Sequence, residues 1–119
     1  MIDGIGIDVV DIDRFKASLE RTPGLAQKLF TEAEQTKPVA SLAARFAAKE
    51  AFSKALGTGL RGDVNLHAIT VAHDDMGKPC FQFNANVSLI LSQHKINQQH
   101  LSISDEKNIA VAFVVLEKL

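Results

Sequence analysis

No apolar run in this chain approaches the ~20 residues that a membrane-spanning helix needs, and the opening Met-Ile-Asp-Gly has no basic stretch followed by an apolar one. Both absences predict a cytosolic protein with no membrane partner. Cysteine is nearly missing: Cys80 stands alone, so no internal disulfide and no thiolate metal cluster can form. Its alternating setting, Cys80-Phe81-Gln82-Phe83, predicts a small buried hydrophobe rather than a reactive thiol. A dominant sign of charge is missing too. The formal net charge is −1, which gives no footprint for nucleic acid, although a local basic patch stays open. There is no internal repeat and no low-complexity tract. The patterns GxxxxGK[ST], HExxH and the serine nucleophile elbow are all absent, which removes the P-loop nucleotide cradle and two common hydrolase designs.

What is present fits one compact unit. The 119 residues, 46% of them hydrophobic, predict a single domain over residues 1–119 that buries a core without staples. Ile2–Val10 reads as a strand, with Ile5, Ile7 and Val9 on one face and Gly4, Gly6 and Asp8 on the other. Asp11 is placed to cap a helix running through Phe15 and Leu19, which Pro23-Gly24 interrupts. A short helical piece follows over Leu25–Phe30, and Thr31-Glu32-Ala33-Glu34 reads as a fresh helix start. Pro38 opens the longest helical signal, through Leu42, Phe46, Ala51 and Leu56 to Gly57. Its alanines favour helix and permit close packing on several sides.

The second half changes period. Ala68–His73 and Cys80–Asn84 alternate as strands around the turn-rich Asp74–Pro79. Val87–His94 has helical spacing. Leu101–Ser104 and Ile109–Leu116 are two further strands, joined by the polar turn Asp105-Glu106-Lys107-Asn108. The expectation is an α+β fold: an N-terminal strand and helices, one of them long and central, packed on a small, mostly antiparallel sheet.

Few residues stand out chemically. Asp8 is a carboxylate in an apolar strand, on the face of Gly4 and Gly6. Glycine inside a strand often marks the close approach of a ligand or of another backbone. An unpaired buried carboxylate is costly, so Asp8 is exposed, hydrogen-bonded or bound to a cation, and a strand-end cap or turn role competes with a metal role. Glu50 and Lys54 form an i, i+4 pair whose plain reading is an exposed ion pair. Arg45 and Lys49 add cations close by in sequence, which opens a second reading. In it, Asp8 and Glu50 supply the hard oxygen ligands that Mg²⁺ prefers, with phosphate oxygens completing its shell. Gly57-Thr58-Gly59 is either a helix terminus or a set of backbone amides for a phosphate. His100 is either structural or part of a site. From the residues alone, a Mg²⁺–phosphate site is one reading among several.

Two stretches narrow this. Gly4-Ile5-Gly6-Ile7-Asp8-Val9-Val10-Asp11-Ile12-Asp13-Arg14-Phe15 resembles the opening motif of the holo-acyl-carrier-protein synthases. Arg45-Phe46-Ala47-Ala48-Lys49-Glu50-Ala51-Phe52-Ser53-Lys54-Ala55-Leu56-Gly57-Thr58-Gly59 resembles their second. The Gly77-Lys78-Pro79 turn and the closing His100-Leu101-Ser102-Ile103-Ser104-Asp105 strand match in the same order, so the resemblance spans essentially the whole chain. It implies the 4′-phosphopantetheinyl transferase fold. It also implies a Mg²⁺-dependent enzyme that moves the 4′-phosphopantetheine group of coenzyme A to a serine of apo-acyl carrier protein, leaving adenosine 3′,5′-bisphosphate. Fatty-acid synthesis is the default setting for that activity.

Carried over position by position, the resemblance puts the metal-binding aspartate on Asp8 and the metal-binding glutamate on Glu50. The lysine near the pyrophosphate falls on Lys54. Arg14 matches a basic position that docks the acidic carrier. Gly57, Thr58, Gly59, Lys78, Pro79 and His100 match parts that border the coenzyme A site. The resemblance further implies a homotrimer with its sites between subunits, and a protonated Lys54 that holds Glu50 ionised. The segment between Thr31 and Arg45 is shorter than in many relatives, and Asp105 stands where many carry histidine. Two other readings compete. A non-catalytic binder of coenzyme A or of a carrier would lack a metal ligand or Lys54, and a small nucleic-acid binder would show steep salt dependence.

Overall fold

A computed structural model describes residues 1–119. The chain runs β1 (Ile2–Asp11), α1 (Ile12–Arg21), α2 (Leu25–Leu29), α3 (Val39–Leu56), a 3₁₀ turn (Leu66–Ala68), β2 (Ile69–His73), β3 (Pro79–Phe83), α4 (Ala85–Gln93), β4 (Gln98–Glu106) and β5 (Ile109–Glu117). Both sheets are antiparallel: three strands in the order β1-β5-β4, and a separate β2-β3 hairpin. The α+β expectation holds, with two small sheets in place of one.

Helix α3 is the centre. Pro38 stands at its N-cap with extended backbone, and Gly57 closes it at φ +86°, a conformation that costs glycine little. Eleven of its 18 residues are buried, which requires cover on most of its circumference. Alanine supplies that on one side. Strand β1 lies directly on α3, and a Cβ placed on Gly6 would stand 1.9 Å from the Ala51 carbonyl oxygen. The same atom on Gly4 would stand 2.0 Å from the Ala55 carbonyl oxygen. The glycines of the first motif therefore admit another backbone, one of the two guests the sequence allowed.

On the far side Phe52 meets Phe83 and Phe81 at ring distances of 4.9 and 5.3 Å, joining the β2-β3 hairpin to the helix. A second cluster gathers Phe15, Phe30 and Phe46 around Ile12, Leu42 and Ala110. Asp11 caps α1 by accepting the Arg14 amide, as its position predicted.

Three local expectations need correction. Cys80 is exposed, not buried, because the pleat turns Phe81 and Phe83 toward Phe52 and leaves Cys80 and Gln82 outside. Thr31–Glu34 starts no helix. Its cap chemistry does form, with Glu34 Oε1 accepting both the Thr31 amide (3.0 Å) and hydroxyl (3.2 Å). Only turns follow, however, and Pro38 forbids propagation. Finally, Asp105 and Glu106 belong to β4, leaving Lys107-Asn108 as the whole turn.

Candidate functional site

The contact of β1 with α3 decides where the first motif meets the second. Asp8 pairs across the sheet with fully buried Ala112, so its side chain lies on the face turned toward the helix. Glu50 lies on the α3 turn before Lys54. Together they line a groove of about 320 Å³ with Val10, Asp11, Arg14, Phe15, Ser18 and Phe46. Three residues that sequence reasoning had singled out separately, Asp8, Arg14 and Glu50, thus share one cleft. Ser18 and Phe46 were not picked as site residues. Their signal was helical spacing: Ser18 lies four residues after Arg14, and Phe46 four before Glu50.

Lys54 does not pair with Glu50, as the i, i+4 reading expected. Its ammonium donates to Asp8 Oδ1 and to the Ile7 carbonyl, both at 3.0 Å. Strand β1 covers that side of the helix and offers two oxygens in reach. Lys54 is not the main influence on Glu50: partial burial pushes its pKa above the ordinary carboxylate value, the Asp8 charge adds to this, and Lys54 opposes it. Two carboxylates facing one cleft, Glu50 disfavoured by the charge of Asp8, are suited to a divalent cation. No group of three metal-ligating side chains exists in the structure. Mg²⁺ needs none, since it commonly takes one or two carboxylates and completes its shell with phosphate and water. Asp8 and Glu50 fit that donor set.

Arg45 and Lys49, counted by sequence as neighbours of Glu50, point elsewhere. Lys49 is fully buried, and Nζ donates to Glu34 Oε1 at 2.6 Å, to the Leu66 carbonyl at 2.9 Å and to the Leu29 carbonyl at 3.3 Å. Glu34 is 1% exposed, and its second oxygen accepts the Val71 amide at 2.9 Å. Burial lowers the Lys49 pKa, and the Glu34 bond partly restores it. Arg45 bonds to Ser41 and to His73 Nδ1, and burial lowers its pKa as well, with Glu34 opposing. Its Nε is buried without a partner, 4.0 Å from Glu34 Oε2. Sequence reasoning missed this network, because nothing local to Glu34 announces a partner on α3.

The other candidates do not line the Asp8–Glu50 groove. The amides of Gly57, Thr58 and Gly59 all turn back to the Ser53 carbonyl, at 3.0, 3.2 and 3.3 Å, as a helix terminus does. Lys78 and Pro79 close the β2-β3 loop, where the Lys78 amide donates to Asp74 Oδ1. His100 bonds Glu117 through Nε2 at 3.0 Å on the outer side of the three-stranded sheet. Asp105 borders a different groove with Arg45 and His73.

That outer side is the most unusual surface. Ile5, Ile7 and Val9 are 60, 55 and 59% exposed. They pair with Val115, Phe113 and Val111 of β5, making a continuous apolar face with nothing over it.

Comparison with known proteins gives one answer throughout. The sequence profile of the 4′-phosphopantetheinyl transferase superfamily matches residues 4–114. A holo-[acyl-carrier-protein] synthase of Nitrosomonas eutropha is 50% identical, covering 99% of this chain and all of the relative. The crystal structure of the synthase from Neisseria meningitidis superposes with a TM-score of 0.94 at 42% identity, covering 99% of this chain and 100% of that one. The Bacillus anthracis synthase, solved in complex with CoA (3′,5′-ADP), gives 0.83 at 38% identity, covering 100% of this chain and 99% of that one.

Proposed function

The chain belongs to the 4′-phosphopantetheinyl transferase superfamily, and from that premise we propose that it is a holo-[acyl-carrier-protein] synthase. It transfers the 4′-phosphopantetheine group of coenzyme A to a serine of apo-acyl carrier protein and releases adenosine 3′,5′-bisphosphate. The observation that carries this reading is the convergence of Asp8 and Glu50, from separate motifs, in one groove beside the Lys54–Asp8 contact.

Asp8 and Glu50 hold Mg²⁺ in this reading, and the ion supplies positive charge to the pyrophosphate of coenzyme A. The remaining work falls to side chains. The carrier serine hydroxyl attacks the phosphate nearest the pantetheine. The new bond joins serine Oγ to phosphorus, and the bond from phosphorus to the bridging oxygen breaks. Glu50, whose proton affinity is raised by partial burial and by the Asp8 charge, is placed to accept the serine proton. Lys54 balances charge on the departing bisphosphate from the Asp8 side. Arg14, on the first turn of α1 at the mouth of the groove, gives an acidic carrier a place to dock.

Gly57, Thr58 and Gly59, which directly follow Lys54, would meet the part of coenzyme A that extends beyond the groove, and Lys78, Pro79 and His100 would reach it from a second copy. The bare apolar face of β1 and β5 supports such a copy, and the assembly we favour is a trimer. The setting we favour is cytoplasmic fatty-acid synthesis.

The direct test is intact mass spectrometry of an apo carrier incubated with coenzyme A and Mg²⁺. One phosphopantetheine should be gained, and the gain should vanish with Glu50→Ala or with EDTA. A folded protein that modifies none of several unrelated carriers would instead be a binding module.

A further inference from the structure

The Glu34–Lys49 pair is a puzzle on energetic grounds. Taking both charges out of water is costly, and well-packed apolar residues in their place are often neutral or stabilising. The pair is built with unusual completeness. The Lys49 ammonium has three acceptors on three different segments: Glu34 in the turn after α2, the Leu29 carbonyl at the end of α2, and the Leu66 carbonyl in the 3₁₀ turn. Glu34 in turn takes the Thr31 amide and hydroxyl and the Val71 amide of β2. The Lys49 ammonium on α3 therefore bonds three neighbouring segments directly and a fourth, β2, through Glu34, and every bond is directional.

Its place on the helix is what matters for the site. Successive helical residues are about 100° apart, so Lys49 and Ala51 flank Glu50 on either side. On the Ala51 side, the β1 backbone packs against α3 with no room for even a methyl group on Gly6. On the Lys49 side stands the buried ammonium. A rotation of α3 by about 20° would carry a side chain some 5–6 Å from the helix axis through about 2 Å. Misplacement by about 1 Å can cost a reaction about a hundredfold. Apolar contacts at Lys49 would resist such rotation weakly, because they lack fixed directions.

Resting on the transferase reading above, we infer that Glu34 and Lys49 are positioning residues for the Asp8–Glu50 site: the buried pair locks the rotation of α3 so that Glu50 faces Asp8. Neither residue touches the groove. Their contribution is geometric and passes through the helix backbone.

The test compares the parent protein with Glu34→Gln/Lys49→Met and with Glu34→Gln alone, since a single change at Lys49 strands a buried carboxylate. Three properties are measured: cooperative melting, the split between kcat and KM for an apo carrier, and the Mn²⁺ dissociation constant by electron paramagnetic resonance with coenzyme A present. The double variant should melt cooperatively near the parent. Its kcat should fall by about tenfold or more with KM within about twofold, and Mn²⁺ should bind several-fold more weakly. A folded double variant with parental kcat and Mn²⁺ affinity overturns the inference. Unfolding of both variants overturns it too, because the pair would then carry stability rather than position. If the parent itself modifies no carrier, the transferase reading fails instead, and the Mn²⁺ measurement still decides the positioning question.

Discussion

Gly6 of β1 and Ala51 of α3 are in backbone contact, so close that a Cβ on Gly6 would lie 1.9 Å from the Ala51 carbonyl oxygen and 2.8 Å from the Ala55 amide nitrogen. Neither atom belongs to a flexible side chain, so neither can step aside cheaply. Gly6→Ala must push the strand off the helix. That costs about 3 kcal/mol, at the upper end of what overpacking does. Because Asp8 is two residues along the same strand, activity should fall even at temperatures where the variant stays folded. Denaturant melts with parallel turnover assays measure both losses.

Lys54 and Asp8 make a half-exposed contact, and such pairs add at most about 1 kcal/mol to stability. Lys54→Met should therefore melt within a few degrees of the parent. Its turnover should drop about 10²-fold or more if the ammonium balances charge in the reaction. A large loss of stability with little loss of rate would make Lys54 a strut for β1.

How far the sequence could be read depended on how local each signal was. Pro38 and Gly57 marked α3 because an N-cap and a left-handed C-cap depend on neighbouring residues. Alternation in β1 gave its two faces but could not say which is covered. The apolar face of Ile5, Ile7 and Val9 is bare, and the glycine face is the packed one, because the helix backbone needs the missing side chains. Arg45 and Lys49 were counted with Glu50 by sequence distance. The helical period of about 100° per residue already sends Lys49 about 100°, and Arg45 about 140°, away from Glu50 around the axis. Glu34 had no local signal of its partner at all, since that contact is made by the fold.

Bare Ile7 and Phe113, opposite each other across β1 and β5, make the assembly testable. A charge in the middle of a buried apolar interface is costly, whereas on a free surface it is nearly neutral. Ile7→Glu should leave the melting of an isolated chain almost unchanged yet convert the protein to smaller species in sedimentation velocity. Activity should fall with it if residues such as Lys78 and His100 reach the groove only from a second copy. Parental mass and rate in this variant would separate the sheet face from the assembly.

The β4-β5 turn offers a change remote from the groove. Lys107 sits at φ +52°, where a side chain costs about 1–2 kcal/mol and glycine is at home. Its neighbour Asn108 accepts the Ile12 amide at 2.6 Å, so the turn shape matters for the start of α1. Lys107→Gly should raise stability by up to about 1 kcal/mol, read as a higher melting midpoint with unchanged turnover.

Glu50 gives the pH dependence its sign. In the folded protein its pKa is raised above 4.5 by burial first and by Asp8 second. Between the ordinary value and the raised one, the folded chain binds more protons than the unfolded chain, so stability falls as pH rises through that window. The favourable contribution is complete below the ordinary value and gone above the raised one. At neutral pH the metal-free protein therefore carries an ionised Glu50 that its surroundings disfavour. Glu50→Gln removes that charge at nearly constant shape. The metal-free variant should melt about 1–3 °C above the parent at pH 7.5, with the gain shrinking toward zero near pH 4. Its stabilisation by added Mg²⁺ with coenzyme A should be lost. A carboxylate that costs stability when empty and is needed when the cation is bound would then show both properties in one substitution. A variant less stable than the parent at pH 7.5 would mean that Glu50 is held by contacts stronger than its repulsion from Asp8.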